Sequence, residues 1–159
     1  MDKTIIPQVG FDKVKFGQTV PQVKAVLGEP DEISDTQYEE DEPGDTSRIL
    51  YYDELGISMT FESGFDFRLL ELSFESDEFT LGGKLHVGMT KDAALAAADE
   101  LGLGEATEED LQDELEEGEN LEAVSYDEPN VTLWFEEGLL STIQLGPGWI
   151  DDNTVDWPE

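Results

Sequence analysis

Apolar and polar residues alternate along two stretches of the chain that carry nearly the same sequence. YDELGISMTFESG, at Tyr52–Gly64, returns as YDEPNVTLWFEEG, at Tyr126–Gly138, with six of thirteen positions identical. Three further positions exchange similar residues, among them Ile57 for Val131. Alternation with a period of two is the pattern of a β-strand with one buried face. The sequence therefore predicts the same strand twice, within an internal repeat.

The alternation continues on either side of these segments and predicts a three-stranded antiparallel meander in each copy. Phe-Glu-Ser-Gly and Phe-Glu-Glu-Gly supply the turn residues after the second strand. The predicted strands are Arg48–Tyr52, Gly56–Phe61 and Leu69–Phe74 in the first copy, and Leu121–Tyr126, Val131–Phe135 and Leu140–Leu145 in the second.

A short helix is predicted ahead of each meander. Both helices follow a Gly-x-Thr sequence, in which Thr19 and Thr90 suit an N-cap. Both are followed by Leu-Gly, at Gly28 and Gly102, and glycine is the usual residue just beyond a helix end. From that glycine to the tyrosine of the repeated strand is 24 residues in both copies.

The two copies differ between helix and meander. Residues 31–47 are acidic, contain Pro43-Gly44, and are predicted mostly as loop. In the second copy, Thr107 as a cap and Leu111 with Leu115 at helical spacing predict a short acidic helix to about residue 117.

Together these elements predict an α+β fold class. Each of two tandem repeats is expected to be a helical segment packed on a three- to four-stranded antiparallel sheet. Residues 1–81 form repeat unit 1, and residues 82–159 form repeat unit 2 with a C-terminal tail. Gly82-Gly83 is interpreted as the linker, and the two units as one compact domain.

The polar side of the predicted strands carries aromatic residues, which is typical of a binding surface. Trp134 alternates with Leu133 and Phe135 and so falls on the side opposite the core; Tyr51 does the same in the first copy. Alternatively, Trp134 packs beneath the C-terminal tail as a core residue. Two tail tryptophans either cover an open end of the sheet or extend the binding surface. The predicted partner-binding residues are Tyr51, Ser58, Thr60, Thr132, Trp134, Trp149 and Trp157.

The net charge of the chain limits the kinds of partner that it can bind. The chain has 40 acidic and 8 basic residues among 159, for a net charge of −32. Such a field repels nucleic acids and anionic membrane surfaces, and it attracts a basic protein. The same acidity also fits a solubility trait or a salt-rich cell.

Residue types needed for catalysis are scarce. There is no cysteine, and His86 is the only histidine. Asp41–Asp45 and Asp151–Asp156 offer carboxylates but not the ligand spacing of an EF-hand. We therefore predict no catalytic residue, no metal site and no cofactor. The chain has no apolar run of membrane-spanning length, and a cytoplasmic location is expected.

The Gly-x-Thr start, the Leu-Gly helix end, the Tyr-led strand and the Phe-Glu-x-Gly turn resemble one unit of the β-lactamase inhibitory protein fold. The same unit is similar to that of the SmpA/OmlA outer-membrane assembly lipoproteins. The resemblance covers about residues 11–145. It implies a helical layer on an antiparallel sheet, two such units in tandem, and an aromatic-bearing sheet face that grips a target protein. The chain differs from both families in having no cysteine.

These observations favour a binding protein over an enzyme. The preferred interpretation is an acidic inhibitor or immunity-type protein, a monomer or weak dimer, that neutralises a basic partner such as a toxin. The alternatives are a structural or assembly module whose acidity only keeps its surface solvated, and a carboxylate-based enzyme.

Overall fold

The computed structural model describes residues 3–37, 46–110, 121–126, 129–151 and 154–156. Within them the secondary structure is mostly strand, with two α-helices and one 3₁₀ turn at Ser63–Phe65. The helices are α1 (Val20–Leu27) and α2 (Lys91–Glu100). The strands are β1 (Thr4–Ile6), β2 (Gly10–Phe11), β3 (Val14–Lys15), β4 (Glu32–Gln37), β5 (Thr46–Tyr52), β6 (Ile57–Glu62), β7 (Arg68–Phe74), β8 (Thr80–Leu81), β9 (Ala106–Asp110), β10 (Leu121–Tyr126), β11 (Val131–Glu136), β12 (Leu139–Leu145), β13 (Gly148–Asp151) and β14 (Thr154–Asp156).

Eight antiparallel strands form one large sheet in the order β4-β5-β6-β7-β12-β11-β10-β9. The first four come from residues before 82 and the last four from residues after 105. The two halves are joined by β7 and β12, where Phe74, Ser73 and Leu72 pair with residues 143–145. Backbone hydrogen bonding therefore continues through the middle of the sheet.

The predicted fold class is wrong. The chain is mostly β and is not two α+β repeats of a helical segment on its own three- to four-stranded sheet. The physical reason lies at β7 and β12, whose edges would each be left unpaired in two separate sheets. They bond to each other instead, and the result is a single eight-stranded sheet.

Two segments between helix and meander also differ from the prediction. Residues 32–37, predicted as loop, form the edge strand β4 against β5. Residues 106–110, predicted as the start of an acidic helix, form the edge strand β9 against β10. Pairing with a neighbouring strand satisfies their backbone groups and outweighs local preference. The remainder of the predicted acidic helix, residues 111–117, lies outside the described residues.

The six strands of the predicted meanders occur where alternation places them. The repeated segments occupy corresponding positions, with β6 second and β11 second in their meanders. Both meanders carry a register shift between their second and third strands, at Thr60/Phe61 and at Trp134/Phe135. The duplicated sequence thus directs the same local strand geometry twice.

Each helix is brought onto the sheet by the same backbone hydrogen bonds. Gly17 N–H donates to Leu69 O at 3.0 Å, and Gly88 N–H donates to Leu140 O at 2.8 Å. Thr19 and Thr90 then stand at the N-caps, as predicted. The Gly-x-Thr sequence therefore both starts each helix and attaches it to the third strand of its meander.

The core lies between one face of the large sheet and the elements that cover it. Phe11 of a small sheet, which has the strand order β3-β2-β1-β8, contacts Phe74 of β7. Phe79, the residue just before β8, contacts Phe74 as well. The Phe11–Phe74 and Phe11–Phe79 rings pack edge to face at 5.5 and 5.3 Å. Val23 of α1 and Ala98 of α2 are buried in the same core. The small sheet was not predicted, because strands of two or three residues carry no readable alternation.

Candidate binding face of the large sheet

The face of the large sheet opposite this core, here called the outer face, carries polar side chains. Its position follows from period two, because the residues between buried Ile57, Met59 and Phe61 point away from the core. One row of cross-strand neighbours crosses six strands on this face. The row is Tyr51, Ser58, Ser73, Gln144, Thr132 and Ser125.

Five of the seven predicted partner-binding residues lie on the outer face. All five side chains are partly exposed: Tyr51, Ser58, Thr60, Thr132 and Trp134. The outer face is therefore neither buried like a second core nor fully exposed to solvent.

Tyr51 and Trp134 stand far apart on this face. Tyr51 is on β5 and Trp134 on β11, with β6, β7 and β12 between them. Since neighbouring strands lie about 4.8 Å apart, four strand steps give roughly 19 Å across the sheet. A partner that touches both aromatic side chains must therefore cover most of the outer face.

The other two predicted residues are in the C-terminal tail. The backbone of Trp149 lies in β13 and pairs with Val155 of β14. Trp157 lies outside the described residues. Their part in a binding surface stays a prediction.

Trp134 is held by a hydrogen-bonded chain that crosses the centre of the sheet. Its indole N–H donates to Oε1 of Gln144 at 2.7 Å. Gln144 in turn donates from Nε2 to Oε1 of Glu71 at 2.8 Å. This chain fixes the indole on the outer face, and each half of the sheet contributes to it.

Gln144 and Glu71 were missed as site residues. The usable signal was a polar residue between buried ones, as Gln144 stands between Ile143 and Leu145. Their contact across 73 positions depends on β7 pairing with β12, which the sequence does not reveal.

Glu71 lies in an environment that disfavours its charge. Partial burial raises the pKa of this carboxyl, and repulsion from Glu62 raises it further, while the hydrogen bond from Gln144 acts in the opposite direction. Glu71 forms no ion pair within the described residues. A partly desolvated negative charge thus stands without a cation at the middle of the outer face.

A recess of about 200 Å³ opens beside Glu71, where β12 ends. Thr132, Gln144 and Asn130 also line it. Asn130 has a left-handed backbone (φ 55°), and its side-chain amide donates to Pro147 O at 3.0 Å. This bond holds the chain that leaves β12 against the turn before β11, so the wall of the recess is built into the fold.

A second cavity, of about 290 Å³, lies at the edge of the sheet beside α2. It is lined by Leu95, Asp99, Gly104, Ala106 and Tyr126. Among the described residues that line it, Asp99 is the single carboxylate, and the cavity lies away from the outer face.

Most of the basic residues form ion pairs with acidic residues of the same chain. Lys3 pairs with Glu78, Lys24 with Glu29, Arg48 with Asp35, Lys84 with Glu100, and Lys91 with Glu122. With only 8 basic residues against 40 acidic ones, the great majority of acids lack an internal cation. The surface field is consequently negative.

The described residues contain no group of three or more His, Asp or Glu side chains placed to hold a metal ion. His86 has its Nδ1 at 3.0 Å from Val87 O. Neither α1 nor α2 has the length and apolarity needed to cross a membrane.

Comparison with known proteins gives no match to a protein-family model, to a curated protein or to a solved structure. The resemblance to the β-lactamase inhibitory protein unit therefore stays a prediction, and function has to be argued from the outer face.

Proposed function

We propose that the protein is a non-enzymatic protein-binding module, an acidic inhibitor or immunity-type protein that neutralises a basic partner protein. The partner docks on the outer face of the large sheet. The cytoplasm stays the proposed compartment.

The observation that carries the proposal is the composition of the outer face. Tyr51 and Trp134 are partly exposed there, and the cross-strand row between them, Ser58, Ser73 and Gln144, is small or hydrogen-bonding. Large aromatic side chains set among polar ones are characteristic of interface anchors. A span of roughly 19 Å between them matches a protein-sized contact rather than a small ligand.

Charge supports a basic partner. A chain with net charge −32 attracts positively charged proteins over distance and raises their association rate. Glu71 adds an uncompensated carboxylate within the contact area itself.

The test compares capture by three immobilised proteins: wild type, Trp134→Thr and Ile33→Thr. Ile33 is a matched control because it is a large apolar residue, 45% exposed, on the edge strand β4. It pairs with buried Leu50 and therefore lies on the core side of the sheet. Proteins retained from lysate of the source organism are identified and quantified at low and high salt.

We expect wild type and Ile33→Thr to retain a basic protein, and Trp134→Thr to lose it. When purified, this protein must lose its own activity on mixing with the wild-type chain. Retention of the same proteins by wild type and Trp134→Thr would overturn the use of the outer face. A captured partner whose activity does not change would overturn inhibition in favour of an assembly role.

A further inference from the structure

The carboxylate of Glu71, at the centre of the outer face, can accept more hydrogen bonds than it receives. A carboxylate accepts about four hydrogen bonds, whereas the described contacts give Glu71 one, from Gln144. Thr132 and Asn130 line the same recess, and each has a side-chain oxygen that can accept hydrogen bonds; the Thr132 hydroxyl also lies 3.4 Å from that of Ser125. The recess therefore offers several acceptors to a ligand, and one of them is a partly desolvated negative charge.

The size of the recess limits what can enter. A drug-sized ligand usually occupies about 300–1,000 Å³, whereas this space is about 200 Å³. It suits the end of one side chain.

Resting on the proposed function, we propose that the recess receives a single arginine side chain of the basic partner, with its guanidinium group on Glu71. The guanidinium group is planar, carries five donors and matches a carboxylate with two parallel hydrogen bonds. Its remaining donors face the acceptors of Thr132 and Asn130. An ammonium group is more strongly hydrated and has only three donors, so lysine fits the site less well.

A bound guanidinium group would account for the environment of Glu71. Its charge is disfavoured in the free protein by burial and by Glu62, and a bound cation would remove that cost. Trp134 lies at the other end of the Gln144 amide, so the arginine and the aromatic anchor would engage neighbouring parts of the partner.

The test needs no partner protein. N-acetyl-L-arginine amide is titrated into the ¹⁵N-labelled full chain at about 0.15 M salt, which screens loose association with the acidic surface. The signals followed are the side-chain amide of Gln144 and the indole N–H of Trp134, each assigned from its own variant. N-acetyl-L-citrulline amide, which has nearly the same shape and no charge, serves as the matched probe.

Two carboxylate variants distinguish binding in the recess from general attraction to the acidic surface. Glu71→Gln removes the charge and keeps an oxygen for Gln144. Glu75→Gln removes one charge from the same part of the chain, at an exposed residue just beyond β7.

The expected result is a saturable shift of both signals with the arginine probe and none with the citrulline probe. Glu71→Gln should weaken the arginine probe about tenfold or more, because a charge-assisted bidentate contact is lost, while Glu75→Gln leaves its affinity unchanged. Equal affinity for wild type and Glu71→Gln would overturn the inference, as would equal affinity for the two probes. Those failures would leave the proposed function standing, since its own test uses Trp134→Thr and no arginine probe.

Discussion

Thr60 and Trp134 occupy matching positions in the two halves of the large sheet, each immediately before the register shift of its meander. Both side chains are partly exposed on the outer face. Thr60 stands opposite Glu71, and Trp134 opposite Thr142. The same strand geometry thus forms with threonine in one half and tryptophan in the other, so the fold does not require an aromatic residue at this position.

Trp134→Thr should therefore impair binding more than folding. The substitution removes an anchor on the outer face and one hydrogen bond, to Gln144, whose side chain stays accessible to water. We expect partner binding to weaken by about 2 kcal/mol or more. The free energy of unfolding, measured by denaturant titration, should change by less than about 1 kcal/mol.

Leu133→Ala provides the matched comparison on the other side of the same strand. Leu133 is completely buried, so its truncation should cost about 2–5 kcal/mol of stability. If Trp134→Thr destabilises the protein as much as Leu133→Ala does, Trp134 is a core residue and the proposed anchor is wrong.

A second prediction concerns two adjacent tyrosines with different roles. The hydroxyl of buried Tyr52 donates to Gly28 O at 3.0 Å and so holds the end of α1. Tyr51, on the outer face, makes no such bond among the described residues. Tyr52→Phe should lower the free energy of unfolding by about 1 kcal/mol, whereas Tyr51→Phe should leave it nearly unchanged.

The two tyrosine variants make the same chemical change at neighbouring positions, so thermal unfolding of both gives a direct comparison. Equal shifts in Tm for the two would show that the Tyr52–Gly28 bond adds nothing to stability.

Alternation and capping predicted the elements whose determinants are local. The buried residues of β6 and β11 repeat every second position, and that pattern alone places Thr60 and Trp134 on one face. The Gly-x-Thr caps likewise specify where α1 and α2 begin. These features depend on residues close together in the chain and are therefore readable from it.

The features that the sequence could not predict depend on strand pairing between residues far apart in the chain. β4 has one large apolar residue, Ile33, and it is exposed, so no alternation marks this edge strand. The junction of β7 with β12 rests on three residue pairs about 70 positions apart. Without it there is no reason to place Gln144 beside Glu71, and the centre of the candidate site remains hidden.

A third prediction concerns association kinetics. Attraction between an acidic surface and a basic partner acts over the Debye length, which is about 8 Å at physiological salt and shorter at higher salt. The association rate should fall severalfold as salt is raised from about 50 to 500 mM, while the dissociation rate changes much less. Stopped-flow mixing with the purified partner measures both rates. An association rate that does not depend on salt would exclude steering by the net charge.

The last prediction follows from the direction in which the pKa of Glu71 is shifted. The pKa of this carboxyl in the folded protein is raised above its ordinary value of 4.5 by burial and by Glu62, despite the hydrogen bond from Gln144. The folded state therefore holds this proton more tightly than the unfolded state does. The resulting contribution to stability is complete below pH 4.5 and is lost as pH rises through the folded pKa.

Glu71→Gln removes this titration and keeps an acceptor for Gln144. The variant should therefore be more stable than wild type at pH values above the folded pKa of Glu71, and the gain should shrink towards zero as the pH falls below 4.5. The measurement is the difference in free energy of unfolding between the two proteins at each pH, which cancels the titration of the other acids. Glu75→Gln, at an exposed position, should give a much smaller difference with little dependence on pH. A Glu71→Gln variant that is less stable than wild type at pH values above that folded pKa would show that the charged carboxylate stabilises the free fold, and that the centre of the outer face is not held ready for a cation.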